Sequence, residues 1–195
     1  MTPEHFADQW PKDAEPLENY SDSELRKFRL NIATINFLAK AGLPKSCAPF
    51  LSFAGSKNIS NSGNSITTLS DIYQLDKKFE AYVVIGSDGA GNPIAINTNK
   101  DCLVQRLDHE NNFSEEFMNS SIHSLAHSLL LYTNFILSIL VTHGENAYLD
   151  CVFNDDEYNT LTRNFRAADE QALSEGFWKE ELNRLLIDRE FYKTQ

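Results

Sequence analysis

The chain is predicted to fold as a single α+β domain, in which a largely antiparallel sheet is flanked by helices. Three segments rich in β-branched residues follow one another with only turns between them: FEAYVVIG, NPIAIN and CLVQRLD. This arrangement is typical of consecutive antiparallel strands. Apolar residues recur at helical spacing both before and after these segments. Strands and helices that are separated along the chain in this way define the α+β class.

The composition is that of a globular protein. The chain has 195 residues, of which 42% are hydrophobic, and a domain of this length buries about 70% of its unfolded surface. Cys47, Cys102 and Cys151 are widely spaced and odd in number, which predicts inert buried thiols in a reducing compartment. The first twenty residues contain acids and prolines but no apolar core, so we expect no secretory signal and a cytoplasmic protein.

The amino-terminal part divides into an arm and the start of the domain. We expect residues 1–20 to form the arm and residues 21–195 the domain. One helix is predicted from Ser21, which forms a capping box with Glu24, to Gly42, which suits a left-handed cap. Three segments follow: CAPFLSFAG as a strand, SKNISNSGNS as a polar loop, and ITTLSDIYQL as a strand or a helical turn.

A long helix is predicted after the strands. Residues 117–144 contain no Asp, Glu, Lys or Arg, a composition that also suits a membrane span. Polar residues return every third or fourth position, however, so we predict a buried core helix that is capped by Asn119 or Ser120. Two more helices are predicted in the last third, with Asn154 as a cap, Gly176 near their junction and an apolar stripe on the second.

The segment YVVIGSDGAGNPIAIN places three glycines within six residues. A dinucleotide-binding loop would need a third glycine at the correct spacing, a phosphate-binding loop would need a lysine, and a calcium loop would need ligands where Ala90 and Asn99 stand. A turn between two strands fits instead. We therefore predict a hairpin that binds no cofactor, with five architectural residues: Gly86, Asp88, Gly89, Gly91 and Pro93.

No catalytic constellation is visible in the sequence. His123 and His127 are four residues apart on one helix face and would form a zinc site only with a third ligand, such as Asp108, His109 or Glu110. Two histidines without adjacent carboxylates are more typical of a hydrogen-bonded interior. Nothing near the cysteines indicates a lowered thiol pKa. We expect a protein that is not an enzyme and that holds no metal.

The charge favours a basic partner. The formal net charge is -11 and no basic run appears, so we expect neither direct nucleic-acid binding nor membrane binding. Acidity for solubility alone is the general alternative. Two clusters are candidate partner-binding residues, or else solvated acids at helix starts: Asp108, Glu110, Glu115 and Glu116, and then Asp155, Asp156 and Glu157.

Four motifs in order resemble the SUKH superfamily: AGLP, YVVIGSDGAGNPIAIN, VQRLDHE and FMNSSIHSLAHSLLLY. Within the superfamily, which also includes the fungal cell-wall synthesis regulators, the resemblance is closest to the bacterial immunity proteins. It covers about residues 30–144. The hairpin residues match the family's hairpin, and Asn119–Ser120–Ser121 matches the start of its main helix.

The resemblance implies a non-enzymatic α+β protein that binds and blocks a cognate toxin, often a nuclease or a nucleic-acid deaminase, in the producing cell. Other relatives are regulatory or scaffolding proteins, which is the alternative function. A negative surface would steer a basic toxin and cover its substrate groove. Four aromatic residues are candidate interface anchors or core residues: Tyr158, Phe165, Phe177 and Trp178.

Overall fold

The computed structural model describes residues 1–55 and 65–193, so that most of the predicted loop SKNISNSGNS lies outside the described residues. The elements in chain order are α1 (Pro3–Gln9), β1 (Leu17–Glu18), α2 (Asp22–Leu25), α3 (Ile32–Lys40), β2 (Leu43–Pro44), β3 (Ser46–Cys47), β4 (Leu51–Phe53), β5 (Thr67–Thr68), α4 (Leu69–Tyr73), a 3-10 helix (Lys77–Ala81), β6 (Tyr82–Ser87), β7 (Pro93–Asn97), β8 (Leu103–Asp108), β9 (Ser114–Asn119), α5 (Ile122–His143), α6 (Asp155–Ala168), α7 (Glu170–Ser174) and α8 (Phe177–Lys193).

The main sheet is antiparallel, which confirms the predicted fold class. Its strand order is β3-β4-β6-β7-β8-β9, with β5 also paired to β6. Strands β6 to β8 are the three predicted segments. Every residue of β7 is buried, since this strand has a neighbour on each side and is covered by the core.

Strand β9 was not predicted, because its sequence SEEFMN begins with a serine and two acids and shows no clear alternation of apolar residues. The strand is instead stabilised by its pairing with β8, in which Glu116 lies directly opposite Arg106. The prediction that Asn119 or Ser120 caps the long helix was also wrong. The cap is Ser121, whose side chain accepts a hydrogen bond from the Ser124 amide.

Helix α5 forms the centre of the core. By length and composition it also suits a membrane span. In this fold, however, ten of its residues are buried, including Leu125, Tyr132 and Ile139. The apolar composition of α5 is therefore explained by the sheet and helices that surround it.

The predicted helix from Ser21 to Gly42 is in fact two helices, α2 and α3. The chain breaks because Asn31 starts a new helix, with its side chain accepting a hydrogen bond from the Thr34 amide at 2.8 Å. The predicted cap at Gly42 has a φ of +72°, and a Cβ there would lie 1.9 Å from the Glu18 carbonyl oxygen. Only glycine fits this close approach of β1 to β2.

Other segments differ from the predictions in detail. CAPFLSFAG forms parts of two short strands, β3 and β4, and ITTLSDIYQL contains both a strand, β5, and a helix, α4. Residues 154–193 form three helices instead of the predicted two. The predicted cap is present, because Asn154 and Glu157 form a reciprocal capping box at the start of α6.

Candidate partner-binding face

The turn between β6 and β7 is organised by its aspartate. One carboxylate oxygen of Asp88 accepts hydrogen bonds from the amides of Ala90 and Asn92, at 2.9 and 2.8 Å. Gly91 has a φ of +86°, in the left-handed region that favours glycine. These bonds account for the turn without any bound group.

Two adjoining hollows flank this hairpin, and we call the surface they form the hairpin face. The first measures about 400 Å³ and lies between the β3–β4 turn, the hairpin and the start of α8. The second measures about 380 Å³ and lies between the hairpin and the β8–β9 turn. Ala90 and Arg106 line both hollows, so the surface is continuous.

Arg106 lies at the centre of the hairpin face. Its guanidinium group pairs with Glu116 and contacts Asp88 at 3.3 Å and Glu180 at 3.5 Å. It also lies over the Phe177 ring, 5.3 Å from the ring centroid. One arginine thus joins the hairpin, β9 and α8, and its positive charge is balanced by the surrounding carboxylates.

The neighbouring acids Glu115 and Glu116 have different surroundings, because successive strand residues point to opposite faces. Burial raises the pKa of Glu116, aided by the nearby Glu180 and only partly offset by Arg106. Burial also acts on Glu115, but hydrogen bonds from Lys100, Tyr82 and Gln105 outweigh it, so the pKa of Glu115 is lowered. Glu115 lines neither hollow of the hairpin face.

The β8–β9 turn carries the remaining acids of the first cluster. Asp108 accepts a hydrogen bond from the Glu110 amide at 3.0 Å, while His109 bonds the Asn92 side chain across to the hairpin at 2.7 Å. Glu110 is exposed and forms no ion pair with a described residue. Its carboxylate is therefore available to a partner.

The second acidic cluster lies at the start of α6 and lines neither hollow. Glu157 completes the capping box and accepts a hydrogen bond from His143 at 3.0 Å. Asp155 pairs with Arg189 at 2.8 Å. Asp156 is exposed in the first turn, where a negative charge favours the helix. Each acid of this cluster has a local structural role.

A buried polar network, which sequence reasoning missed, surrounds the Asn119–Ser120–Ser121 motif. The Asp169 carboxylate accepts hydrogen bonds from the Ser120 amide and hydroxyl, both at 2.8 Å, and from the Asn119 side chain at 3.1 Å. The Trp178 indole donates to the Asn119 side chain at 2.8 Å. The network joins the end of β9 to the carboxyl-terminal helices. No local pattern indicates this role for Asp169.

The predicted aromatic anchors are mostly core residues. Phe165 and Trp178 are fully buried and Phe177 is 7% exposed. Tyr158 is partly buried, and its hydroxyl donates a hydrogen bond to the Leu182 carbonyl. Phe177 contributes to the hairpin face only through its ring, which packs beneath the Arg106 guanidinium group.

The two histidines of α5 lie side by side and half-buried. The His123 ring packs against Phe37 with 4.7 Å between centroids. Burial lowers the pKa of His123 and of His127, and the positive amino terminus acts in the same direction. Within residues 1–55 and 65–193, no three His, Cys, Asp or Glu side chains are grouped to hold a metal ion.

The cysteines are free thiols. Burial raises the pKa of Cys47 to about 12, and burial also raises the pKa of Cys151. A raised pKa leaves these sulfur atoms protonated and weakly nucleophilic at neutral pH.

A basic cleft of about 310 Å³ was also not predicted. Its bases come from two segments that are distant in sequence, so no basic run marks it. Asp71 and Glu80 line the same cleft and reduce its charge. The four bases are Lys27, Arg29, Lys77 and Lys78.

The fold and the hairpin face define an α+β domain whose antiparallel sheet carries a continuous, charged and mostly acidic surface between short turns. The comparison with family models then identifies the family of this domain. The model of the SUKH-4 immunity protein family matches residues 13–184, and the chain belongs to this family. The match confirms the superfamily resemblance and extends it through α6 and α7 into α8. No curated protein and no solved structure matched the chain.

Membership of this family supports an immunity role, in which the protein binds a cognate toxin. It also agrees with the expectation of a protein that acts by binding, since immunity proteins are generally not enzymes.

Proposed function

We propose that this protein neutralises a basic toxin in the cytoplasm of the producing cell, by binding it through the hairpin face and covering its substrate groove. One observation carries the proposal: carboxylates outnumber guanidinium groups on this face. The guanidinium groups are those of Arg106 and Arg184. The carboxylates are those of Asp88, Asp108, Glu110, Glu116, Glu180 and Glu181.

The arrangement of these charges supports a target that normally binds nucleic acid. The groove of a nuclease or nucleic-acid deaminase is basic, because it must hold phosphate groups. A surface with closely spaced carboxylates on strands, turns and the start of α8 presents a similar pattern of negative charge. Such complementarity raises the association rate, and this gain becomes smaller as salt is added because the dissolved ions screen the charges.

Glu110 is the acid best placed for this role. Its side chain is exposed and has no ion-pair partner among the described residues, whereas Glu116 is held by Arg106. A toxin cation therefore gains a new ion pair at Glu110 without breaking an existing one. Asp155, Asp156 and Glu157 form a second predicted contact set, of which Asp156 is the exposed member without an ion pair in the described chain.

The test is coexpression of the protein with the toxin domain encoded beside its gene, followed by binding kinetics on the purified pair. We expect wild-type protein to protect the cells and to form a complex. Glu110→Lys should slow association about 3- to 10-fold at low salt, since steering depends on the local field. Asp156→Lys tests the second cluster in the same assay.

The matched control is Asp8→Lys, which makes the same change in net charge at an exposed position of α1. It should leave association nearly unchanged. If all three variants slow association equally, then net charge and not the hairpin face steers the toxin. Cell death and no complex with wild-type protein would contradict the immunity role and would favour a regulatory or scaffolding one.

A further inference from the structure

Phe50 is the unusual residue of the hairpin face. Its side chain is 67% exposed at the tip of the β3–β4 turn. Its backbone has a φ of +60°, in the left-handed region that side-chain-bearing residues rarely adopt. This position has two energetic costs in the free protein: the backbone is strained, and the apolar ring is exposed to water. Such a position indicates a role in binding.

The hairpin supports the turn from below. A Cβ placed on Gly89 would lie 2.9 Å from the Cβ of Phe50, so only glycine allows the two turns to approach this closely. Phe50 lines the 400 Å³ hollow together with Glu180 and Arg184 of α8. Phe50 is thus an exposed apolar side chain, held close to the hairpin at its Cβ, at the edge of a charged groove.

The cations beside this groove are already paired. Arg184 bonds Glu181 at 2.8 Å and Asp188 at 2.7 Å, and Arg106 is surrounded by its own carboxylates. The groove therefore offers little repulsion to a basic partner. Through Ala90 and Arg106 it continues into the acidic hollow that contains Glu110.

We propose that Phe50 is the apolar anchor of the toxin interface, and that it inserts into an apolar cleft on the toxin that is bordered by Lys and Arg. Buried aromatic side chains at the centre of an interface supply much of its affinity, and a ring of polar contacts excludes water from them. Bordering cations would also contact the face of the phenyl ring. This inference rests on the proposed function and assigns the anchor within the same face.

The chain provides a matched control. Phe191, in the last turns of α8, has the same side chain and a similar exposure of 58%, and it lines neither hollow of the hairpin face. The experiment compares Phe50→Ala with Phe191→Ala in binding to the toxin domain encoded beside the gene. Phe50→Asn is added because asparagine tolerates a positive φ, so this variant removes the ring without straining the turn.

We expect both Phe50 variants to bind about 30-fold or more weakly, as for a hot-spot residue, and mainly through faster dissociation. The association rate and its salt dependence should be nearly unchanged. Phe191→Ala should bind within about 2-fold of wild type, as expected outside a hot spot. Thermal unfolding of Phe50→Asn should match that of wild type, which separates lost contact from lost folding.

The outcomes are distinguishable. If wild-type protein binds the toxin and both Phe50 variants bind as tightly, the anchor is wrong while the proposed function stands. Equal losses in the Phe50 and Phe191 variants would also overturn the anchor, because the effect would not be specific to the groove. If wild-type protein does not bind the toxin, the proposed function fails and the anchor fails with it.

Discussion

Asp169 shows how one side chain can join distant parts of this chain. The residue is 7% exposed, and its carboxylate accepts three hydrogen bonds from Asn119 and Ser120. Asn119 is fully buried; its side chain accepts a hydrogen bond from the Trp178 indole and donates one to the Ser128 hydroxyl. The network thereby connects the end of β9, helix α5 and the start of α8.

Replacing Asp169 should destabilise the protein strongly. Asp169→Ala removes the acceptor and leaves buried donors unpaired, so we expect the free energy of unfolding to fall by about 2 to 4 kcal/mol. Urea unfolding followed by circular dichroism measures this. Asp8→Ala, at an exposed acid of α1, should change the free energy by no more than about 0.5 kcal/mol. Equal effects of the two changes would refute the role of the network.

Helix α5 is apolar in composition but carries two histidines that can make the stability of the protein depend on pH. His123 and His127 lie half-buried on the side of α5 that faces α1 and α3, with the amino terminus and His5 nearby. Burial first, and the positive amino terminus second, lower the pKa of both histidines, and His5 acts in the same direction on His127 alone. In the unfolded chain the histidines regain ordinary values near 6.5.

The sign of the resulting pH dependence is fixed by linkage. Where the pH is below about 6.5 but above the lowered folded pKa values, the unfolded state binds more protons, so the free energy of unfolding falls as the pH falls. The double variant His123→Gln with His127→Gln should lose much of this decline in urea unfolding between pH 7 and pH 5.5.

His109→Gln, at an exposed position of the β8–β9 turn, serves as the control for that comparison. The contribution of Glu116 to the pH dependence has the opposite sign: because its pKa is raised in the folded state, protonation of its carboxylate increases the free energy of unfolding as the pH falls. The histidine effect must therefore be read as a difference between variants. An unchanged decline in the double variant would exclude these histidines as its source.

At the scale of the whole molecule, the amino-terminal residues extend the core. The family match begins at residue 13, yet Phe6 is fully buried and Trp10 is 8% exposed. The Phe6 ring packs against Trp10 and Phe37, with centroids 5.4 and 5.5 Å apart. Helix α1 thereby covers one side of α3 and α5.

Loss of this helix should destabilise the entire domain. Phe6→Ala should lower the free energy of unfolding by about 3 to 5 kcal/mol, as for a large aromatic removed from a core. A chain that begins at residue 13 should show a comparable loss in urea unfolding. Phe191→Ala, which removes an exposed ring, is the control. A shortened chain with the wild-type unfolding midpoint would show that α1 is dispensable.

Local signals in the sequence determined the parts of the fold that depend on neighbouring residues. Strands β6 to β8 follow from β-branched runs, the β6–β7 hairpin from its Asp-Gly pair, and the start of α6 from Asn154 as its cap. The order of four motifs, from AGLP through the β6–β7 hairpin to the start of α5, was enough to indicate the superfamily. Each signal acts within a few residues, where propensity and hydrogen bonding to the adjacent backbone decide the structure.

Only the tertiary structure decided which side chains from distant segments meet. Strand β9 forms because β8 offers it a partner, and its acids are placed by that pairing: Glu115 with Lys100 and Glu116 with Arg106. The hairpin face, the mounting of Phe50 on Gly89 and the burial of Asp169 arise in the same way. The physical reason is that these contacts depend on strand register and on helix packing, which are set by the whole core and not by spacing along the chain.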